Sequence, residues 1–207
     1  MKKVFWFFSF FLFLLLVSPL YSNLSSTGMV SAKPPPVNTA AELSTSSAIA
    51  FDKMMDVLTH QRCVNCHPSD NVPKQSEASH AHRFDISRVN GQGATNCNTC
   101  HQASNNLYSG VPGAPDWALA PHTMRWEGLS RIEIARSMMD PATNGNRSPE
   151  DIMHHLTEHE LVLWAWEPGV DAEGKPREQP PVPKDEYIKA VKEWIEAGAI
   201  IPEETVN

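Results

Sequence analysis

Two pentapeptides contain all four cysteines of this chain: CVNCH at residues 63–67 and CNTCH at residues 97–101. The pattern C-x-x-C-H is typical of c-type haem attachment. In such a site the two thiols add to vinyl groups on one edge of a porphyrin, and the adjacent histidine ligates the iron. The sequence therefore predicts two covalently bound haem c groups, each with its own tether and proximal ligand. The tethers would be Cys63, Cys66, Cys97 and Cys100, and the proximal metal ligands His67 and His101.

Disulfides and zinc are the alternative uses of these cysteines. Four cysteines can form two disulfides, as in many exported proteins, and two C-x-x-C pairs can supply four thiolates to zinc. Neither use explains why a histidine follows each pair. In addition, thirty residues separate Cys66 from Cys97, whereas the gap in such zinc sites is roughly 15–20 residues. Haem attachment is the interpretation that accounts for all six residues.

The sixth iron ligand decides what a haem can do, because a second His or Met favours electron transfer and an open position permits ligand binding or catalysis. His82 lies fifteen residues after His67 and fifteen before Cys97, so it could fold over either haem. Met124 stands in a loop just before a predicted helix, where its thioether could reach iron. We expect His82 to ligate the iron of the CNTCH haem and Met124 the other iron. Core packing is the alternative role for Met124.

Other polar residues have weaker claims to a site. His155 and His159 stand four residues apart, the spacing of a helical metal pair. Because no third ligand is evident, the favoured interpretation is that they border the haem pocket or solvent. Arg88, Arg125 and Arg131 could pair with haem propionates, although exposure to solvent is the usual state of an arginine.

The elements that must position these residues are helical. Phe51, Met54, Met55 and Leu58 follow the i, i+3, i+4, i+7 spacing of an amphipathic helix that leads into the first motif, with Ser46 or Ser47 as its cap. The remaining helices are predicted from a capping box, a proline at a first position and a final glycine. One helix begins at the capping box of Ser130 and Glu133 and has Ile132, Ala135 and Met139 on one face. A second begins at Ser148-Pro149 and runs through HHLTEHELVLWAW. The last begins at about Asp185, buries Val191, Trp194 and Ile195, and ends at Gly198.

No segment shows the alternation of a half-buried strand, and loops such as SGVPGAPDWALAPH are rich in Pro and Gly. The predicted fold is therefore all-α, with cytochrome c-like helices and long loops wrapped around two covalent haems.

The N-terminus predicts export. Two lysines, an apolar run from Val4 to Val17 and then small residues describe a signal peptide over residues 1–22, with cleavage possible as late as residue 32. A Ser/Thr/Pro-rich linker follows at residues 23–48, and a dihaem cytochrome domain at residues 49–203. We expect a periplasmic or otherwise exported protein, anchored to a membrane only if the N-terminal segment stays uncleaved.

The charge of the chain limits its partners. Of 17 Lys and Arg, Lys2 and Lys3 leave with the signal peptide, so 15 remain against 24 Asp and Glu, a formal charge of −9. An acidic surface argues against a nucleic-acid partner, because phosphate binding requires basic residues. It suits a redox partner protein with a basic docking patch.

Longer segments resemble known cytochromes. The layout CVNCHPSD, SHAHRFDISR and CNTCHQASNN is similar to the small dihaem subunit of periplasmic nitrate reductases, although those subunits have a further histidine about a dozen residues before the first motif and this chain has none there. GVPGAPDWALAP, MRWEGLS, DPATNGNRS and LVLWAWEPG resemble a family of small bacterial cytochromes c, some labelled isoquinoline 1-oxidoreductase-like subunits. That family has a His followed six residues later by an Arg before the second motif, as His82 and Arg88 do here, and a Met-x-Trp pattern, as Met124 and Trp126 do. The resemblance implies two c-type haems and electron transfer.

The sequence thus predicts an electron carrier, or the cytochrome subunit of an exported oxidoreductase, rather than an enzyme. The alternative is a dihaem enzyme of the peroxidase type with one open haem iron. Such peroxidases are substantially longer, and no general acid–base set accompanies either motif in this chain.

Overall fold

The computed structural model describes residues 40–88 and 97–203. Within these ranges the chain is mainly helical, which confirms the coarse fold prediction. The helices are α1 Ala40–Leu58, α2 Gln61–Val64, α3 Arg131–Met139, α4 Pro141–Asn144, α5 Pro149–Glu158, α6 Glu160–Leu163 and α7 Lys184–Glu196. No helix in the described part of the chain is both long enough and apolar enough to cross a membrane. The predicted signal peptide and most of the predicted linker lie outside the described residues.

Helix α1 buries the apolar face that the sequence predicts: Phe51, Met54, Met55 and Leu58 are all almost inaccessible to solvent. The predicted cap is wrong, because the helix begins at Ala40 and Ser47 is a buried residue inside it. Residues 40–48, assigned to the linker from composition, are therefore helical.

The core forms where α1 and α5 each pack against α7. Phe51 of α1 meets Trp194 of α7 with 6.1 Å between ring centroids, and Tyr187, one turn into α7, is fully buried. Burying aromatic and aliphatic side chains of this size removes enough apolar surface from water to stabilise so small a domain. Helix α7 ends as predicted, with Gly198 in the left-handed conformation directly after the C-cap.

The capping box predicted at Ser130 is present, and a second one occurs at Ser148, where the sequence predicts a helix start from Pro149. Ser130 accepts a hydrogen bond from the Glu133 backbone at the start of α3, and Ser148 accepts one from the Asp151 backbone at the start of α5. The buried face of α3 differs slightly from the predicted one, since Ile134, Ala135 and Met138 are buried while the predicted Ile132 and Met139 are only partly covered.

The long helix predicted after Ser148 is interrupted. Helix α5 ends at Glu158, and His159 has extended backbone angles (φ −71°, ψ 122°). The His159 side chain accepts a hydrogen bond from the Leu161 backbone and so caps the short α6. A 3₁₀ turn at Trp164–Trp166 follows. His155 and His159 are therefore neighbours in space, with ring centroids 5.1 Å apart, but they do not share one continuous helix.

The two motifs are embedded in less regular structure. A two-stranded antiparallel hairpin pairs β1 Lys74–Gln75 with β2 His80–Ala81, and 3₁₀ turns follow at Arg83–Asp85 and Cys97–Thr99. Residues 102–129 form a long loop without helix or strand, which returns from the second motif to the first. This loop supplies the contacts that position both motif histidines.

Candidate haem-binding site

The first motif lies directly after α1. Its first cysteine belongs to the short α2, and the motif backbone is then held by the long loop. The Cys66 carbonyl accepts a hydrogen bond from Ala120 N at 3.1 Å, and the His67 carbonyl accepts one from Trp126 N at 2.9 Å. The loop at residues 120–127 is thus fixed against the motif through backbone atoms.

The imidazole of His67 is fixed by two contacts. Its Nδ1 donates a hydrogen bond to the Met124 carbonyl at 2.8 Å, and its ring stacks on Trp126 with centroids 3.6 Å apart and planes 8° from parallel. A carbonyl oxygen can only accept, so Nδ1 carries the proton and Nε2 has a free lone pair. This is the arrangement that metal-ligating histidines commonly show.

The second motif repeats the arrangement with different residues. Nδ1 of His101 donates to the Pro112 carbonyl at 2.7 Å, and the ring stacks on Trp117 with centroids 4.4 Å apart and planes 5° from parallel. The Nε2 of His101 is likewise the nitrogen with a lone pair. Two motifs distant in sequence therefore present their histidines in one way.

The thiols of the two motifs are unpaired and come close together. All four cysteines are free in the structure. Burial raises the pKa of the Cys63 thiol to about 12, and the neighbouring Cys66 adds to the rise. Burial also raises the pKa of Cys66 to about 11, and there the second cause is the charge of Cys97, from the other motif. The sites of the two motifs are therefore adjacent.

A cavity of about 220 Å³, partly open to solvent, lies beside the first motif. The motif and the helical core both contribute to its wall. Among the lining residues are Cys63, Cys66, His67, Met124, Trp126, Met138, Ile152, His155, Leu156 and His159.

His82 lies beside His101, as the predicted ligand pair requires. The two ring centroids are 6.0 Å apart. With metal–nitrogen bonds of about 2 Å, two imidazoles on opposite sides of one ion have centroids about 6 Å apart. Nδ1 of His82 donates to the Arg83 carbonyl at 2.8 Å, so His82 also has its lone pair on Nε2.

The position of Met124 does not support the predicted ligand role. Its carbonyl accepts the proton of His67 Nδ1, so the Met124 backbone lies on the side of the imidazole away from Nε2. Its sulfur contacts Ser137 Oγ at 3.7 Å, and the residue is buried in the core. A sixth ligand to an iron bound at His67 Nε2 would have to lie beyond Nε2. Met124 instead positions the His67 imidazole through its carbonyl, and the alternative of core packing describes its side chain.

Of the histidines in α5 and directly after it, His155 is the one that resembles a ligand. Burial lowers its pKa to about 4, and burial has the same effect on His67. Both rings are consequently neutral at pH 7, the form in which histidine binds metal. Nδ1 of His159 accepts the Leu161 N–H at 3.3 Å, which places the proton of neutral His159 on Nε2.

Several buried polar atoms near the first motif have no hydrogen-bond partner among the described residues. They include Nε and Nη2 of Arg88 and Nε1 of Trp126. The charge of Arg88 also lowers the pKa of His67, which places the guanidinium nearby. Unpaired donors of this kind fit a group that brings anionic carboxylates, as haem does. Arg131, by contrast, is committed to ion pairs with Asp52 and Asp56, and Arg125 is exposed.

A haem iron needs at most two protein ligands, so pairs of residues matter more than clusters. In the described ranges no group of three or more His, Cys, Asp or Glu side chains is arranged to hold a metal ion. The donor sets that the structure does present are pairs of histidines beside pairs of thiols.

Sequence reasoning missed three contributors to the site. The carbonyls of Met124 and Pro112 are backbone atoms, which have no side-chain signature. The third contributor is Trp117. The sequence does contain a signal for it, because a tryptophan follows each of these two carbonyl residues by two to five positions, in PHTMRW and PGAPDW.

No protein-family model matches the chain, and searches of curated proteins and of solved structures each returned no match.

Proposed function

We propose that this chain is an exported dihaem c-type cytochrome that transfers electrons, either as a carrier or as the cytochrome subunit of an exported oxidoreductase. The observation that supports the proposal is the repeated geometry of the motif histidines. In each motif Nδ1 donates to a loop carbonyl and a tryptophan stacks on the ring. A disulfide or a structural zinc site gives no reason for that repetition.

The residues present fit haem c. Cys63 and Cys66 would hold one group and Cys97 and Cys100 the other, with His67 and His101 as proximal ligands. Bound haem would supply one-electron chemistry at iron. The chain's own part is to fix the imidazoles and exclude water from the first site, since the walls beside His67 are mostly apolar.

Electron transfer is favoured over catalysis by the position of His82. A histidine with its lone pair on Nε2 and its ring 6.0 Å from His101 is suited to fill a sixth coordination position. A filled position leaves no place for a substrate at that iron. The adjacent motifs would also allow electrons to pass between the two haems.

The covalent attachment is tested with paired cysteine variants. Wild-type protein exported by cells that mature c-type cytochromes should gain the mass of two haems, which acid–acetone does not extract. The double variant Cys63→Ala/Cys66→Ala should retain one, and so should Cys97→Ala/Cys100→Ala. Mass spectrometry and the pyridine haemochrome spectrum count the groups. A colourless wild-type protein that carries zinc would contradict the proposal.

A further inference from the structure

We propose that His155 is the sixth ligand to the haem attached at CVNCH, so that both haems have two histidine ligands. The inference rests on the proposed haem function and concerns the ligand that remains once Met124 is assigned to the proximal side. His155 and His67 line the same cavity. No other histidine of the described chain except His159 lines that cavity with them.

The ring of His155 is available for a ligand. Across the described residues no hydrogen bond to either of its nitrogens is found, and its ring centroid lies 5.1 Å from that of His159. The groups whose charges act on His155 are Arg147, His159 and His154, and none of them binds its nitrogens. The half-buried imidazole lines the cavity, so its nitrogens are free to bind a ligand there.

The other nearby histidines are committed elsewhere. Nδ1 of His159 accepts the Leu161 N–H and caps α6. His154 is exposed and lies 3.3 Å from Glu158. His60 accepts the Arg62 N–H at 3.3 Å and caps α2, and His122 is exposed on the long loop. His155 is the histidine that combines burial, the cavity and uncommitted nitrogens.

Helix α5 holds His155 rigidly. Ile152 and Leu156, on either side of it along the helix face, are buried in the core, and the capping box at Ser148 fixes the start of the helix. A ligand on a packed helix is positioned more accurately than one on a loop. Met138 of α3 also lines the cavity, but it is one of the most completely buried side chains and packs in the core.

The inference changes the expected redox behaviour. A His/Met iron has a higher reduction potential than a His/His iron. With His155 in place of Met124, neither ferric haem should show the long-wavelength charge-transfer band of thioether ligation, and neither midpoint potential should be raised by a thioether.

The test uses the full-length, exported holo-protein. His155→Ala should still carry two covalent haems, while one of its two low-spin signals in the electron paramagnetic resonance (EPR) spectrum becomes high-spin and one haem binds carbon monoxide. Added imidazole should restore the low-spin signal. His154→Ala, on the adjacent exposed position, is the control and should match wild type.

A second variant covers failure to fold. His155→Met keeps a possible ligand, and the charge-transfer band should appear with a rise in one midpoint potential. The inference is overturned if both His155 variants keep the wild-type EPR spectrum, or if the wild type already has the band and Met124→Ala removes it. Those outcomes leave two covalent haems in place, whereas failure of the proposed function is recognised by a wild-type protein without haem.

Discussion

His67 and His101 each depend on a backbone carbonyl and a tryptophan from the same long loop. The hydrogen bond from Nδ1 fixes the tautomer and increases the basicity of Nε2, and the stacked ring restricts rotation about the Cβ–Cγ bond. Trp126 is buried, whereas Trp117 is half-buried and packs edge-on against Trp164 at 4.8 Å. The first histidine is consequently held in a drier setting than the second.

At the residue scale we predict that His82→Ala opens the iron of the CNTCH haem. One haem should become high-spin and bind carbon monoxide, because His82 is the imidazole beside His101. Stopped-flow carbon monoxide binding and EPR provide the measurement.

His80→Ala is the matched control, since His80 is exposed on the same hairpin and binds only the neighbouring Ala81 carbonyl. Unchanged spectra for His82→Ala would refute the assignment, and so would rapid carbon monoxide binding at that haem in the wild type.

Side chains of the site could be predicted from sequence better than its backbone contacts. The motif residues follow from their spacing, and His82 from its distance to both motifs. Met124 is predicted as an iron ligand because of its thioether, but its carbonyl is the atom that contacts His67. Any residue type except one that distorts the loop could supply that carbonyl, so the sequence contains no signal for it.

Helix α5 and its interruption at His159 determine which histidines face the cavity. Periodicity predicts one helix from Ser148 through Trp166, because the apolar spacing continues through the break. The break arises locally: His159 leaves the helical conformation and its side chain caps α6. Side-chain to backbone hydrogen bonds of this kind compete with helix continuation, and periodicity does not detect them.

At the element scale we predict different effects for two equivalent caps. Ser148→Ala and Ser130→Ala each remove a capping box, and each should lower the free energy of unfolding by about 1 kcal/mol. Only Ser148→Ala loosens the start of the helix that carries His155. It should therefore perturb the EPR spectrum of one haem, while Ser130→Ala leaves both unchanged.

Urea denaturation and EPR on the same samples separate the two effects. Equal spectra for both variants, at equal loss of stability, would show that the start of α5 has no influence on a haem.

The helices could be predicted because they follow local rules, and the loop could not. Capping boxes, the face of α1 and the end of α7 are all visible in short segments. The loop at residues 102–129 takes its shape from distant contacts, such as Ala120 N with the Cys66 carbonyl. Gly113 illustrates the point, because a Cβ there would lie 2.3 Å from the Gln102 carbonyl oxygen, a close approach that only the folded loop reveals.

On the scale of the whole molecule the two sites differ in exposure. The first motif lies against the core formed by α1, α5 and α7. Burial raises the pKa of the Tyr187 hydroxyl in α7, and the nearby Cys63 of the motif adds to the rise. In the second motif Cys100 is exposed and His101 only partly covered. Phe84 and Tyr108, in the segments that flank it, are largely exposed as well. If each motif holds a haem as proposed, we expect a redox partner to reach the second more readily than the first.

The acidity of the chain predicts how such a partner is recognised. The chain has a formal charge of −7, or −9 without Lys2 and Lys3 of the predicted signal peptide, and opposite charge on a partner accelerates encounter by about 10–10³-fold at low salt. We expect the rate of electron transfer to a small basic redox protein to fall steeply as ionic strength rises to about 0.15 M, where the Debye length is about 8 Å. Stopped-flow absorbance of the haem bands gives the rate.

An acidic redox protein of similar potential is the control: its rate should start low and rise with salt, because screening then removes a repulsion. A rate that is independent of salt with both proteins would show that charge does not guide docking, and contact with the exposed second site would have to depend on apolar residues such as Tyr108 instead.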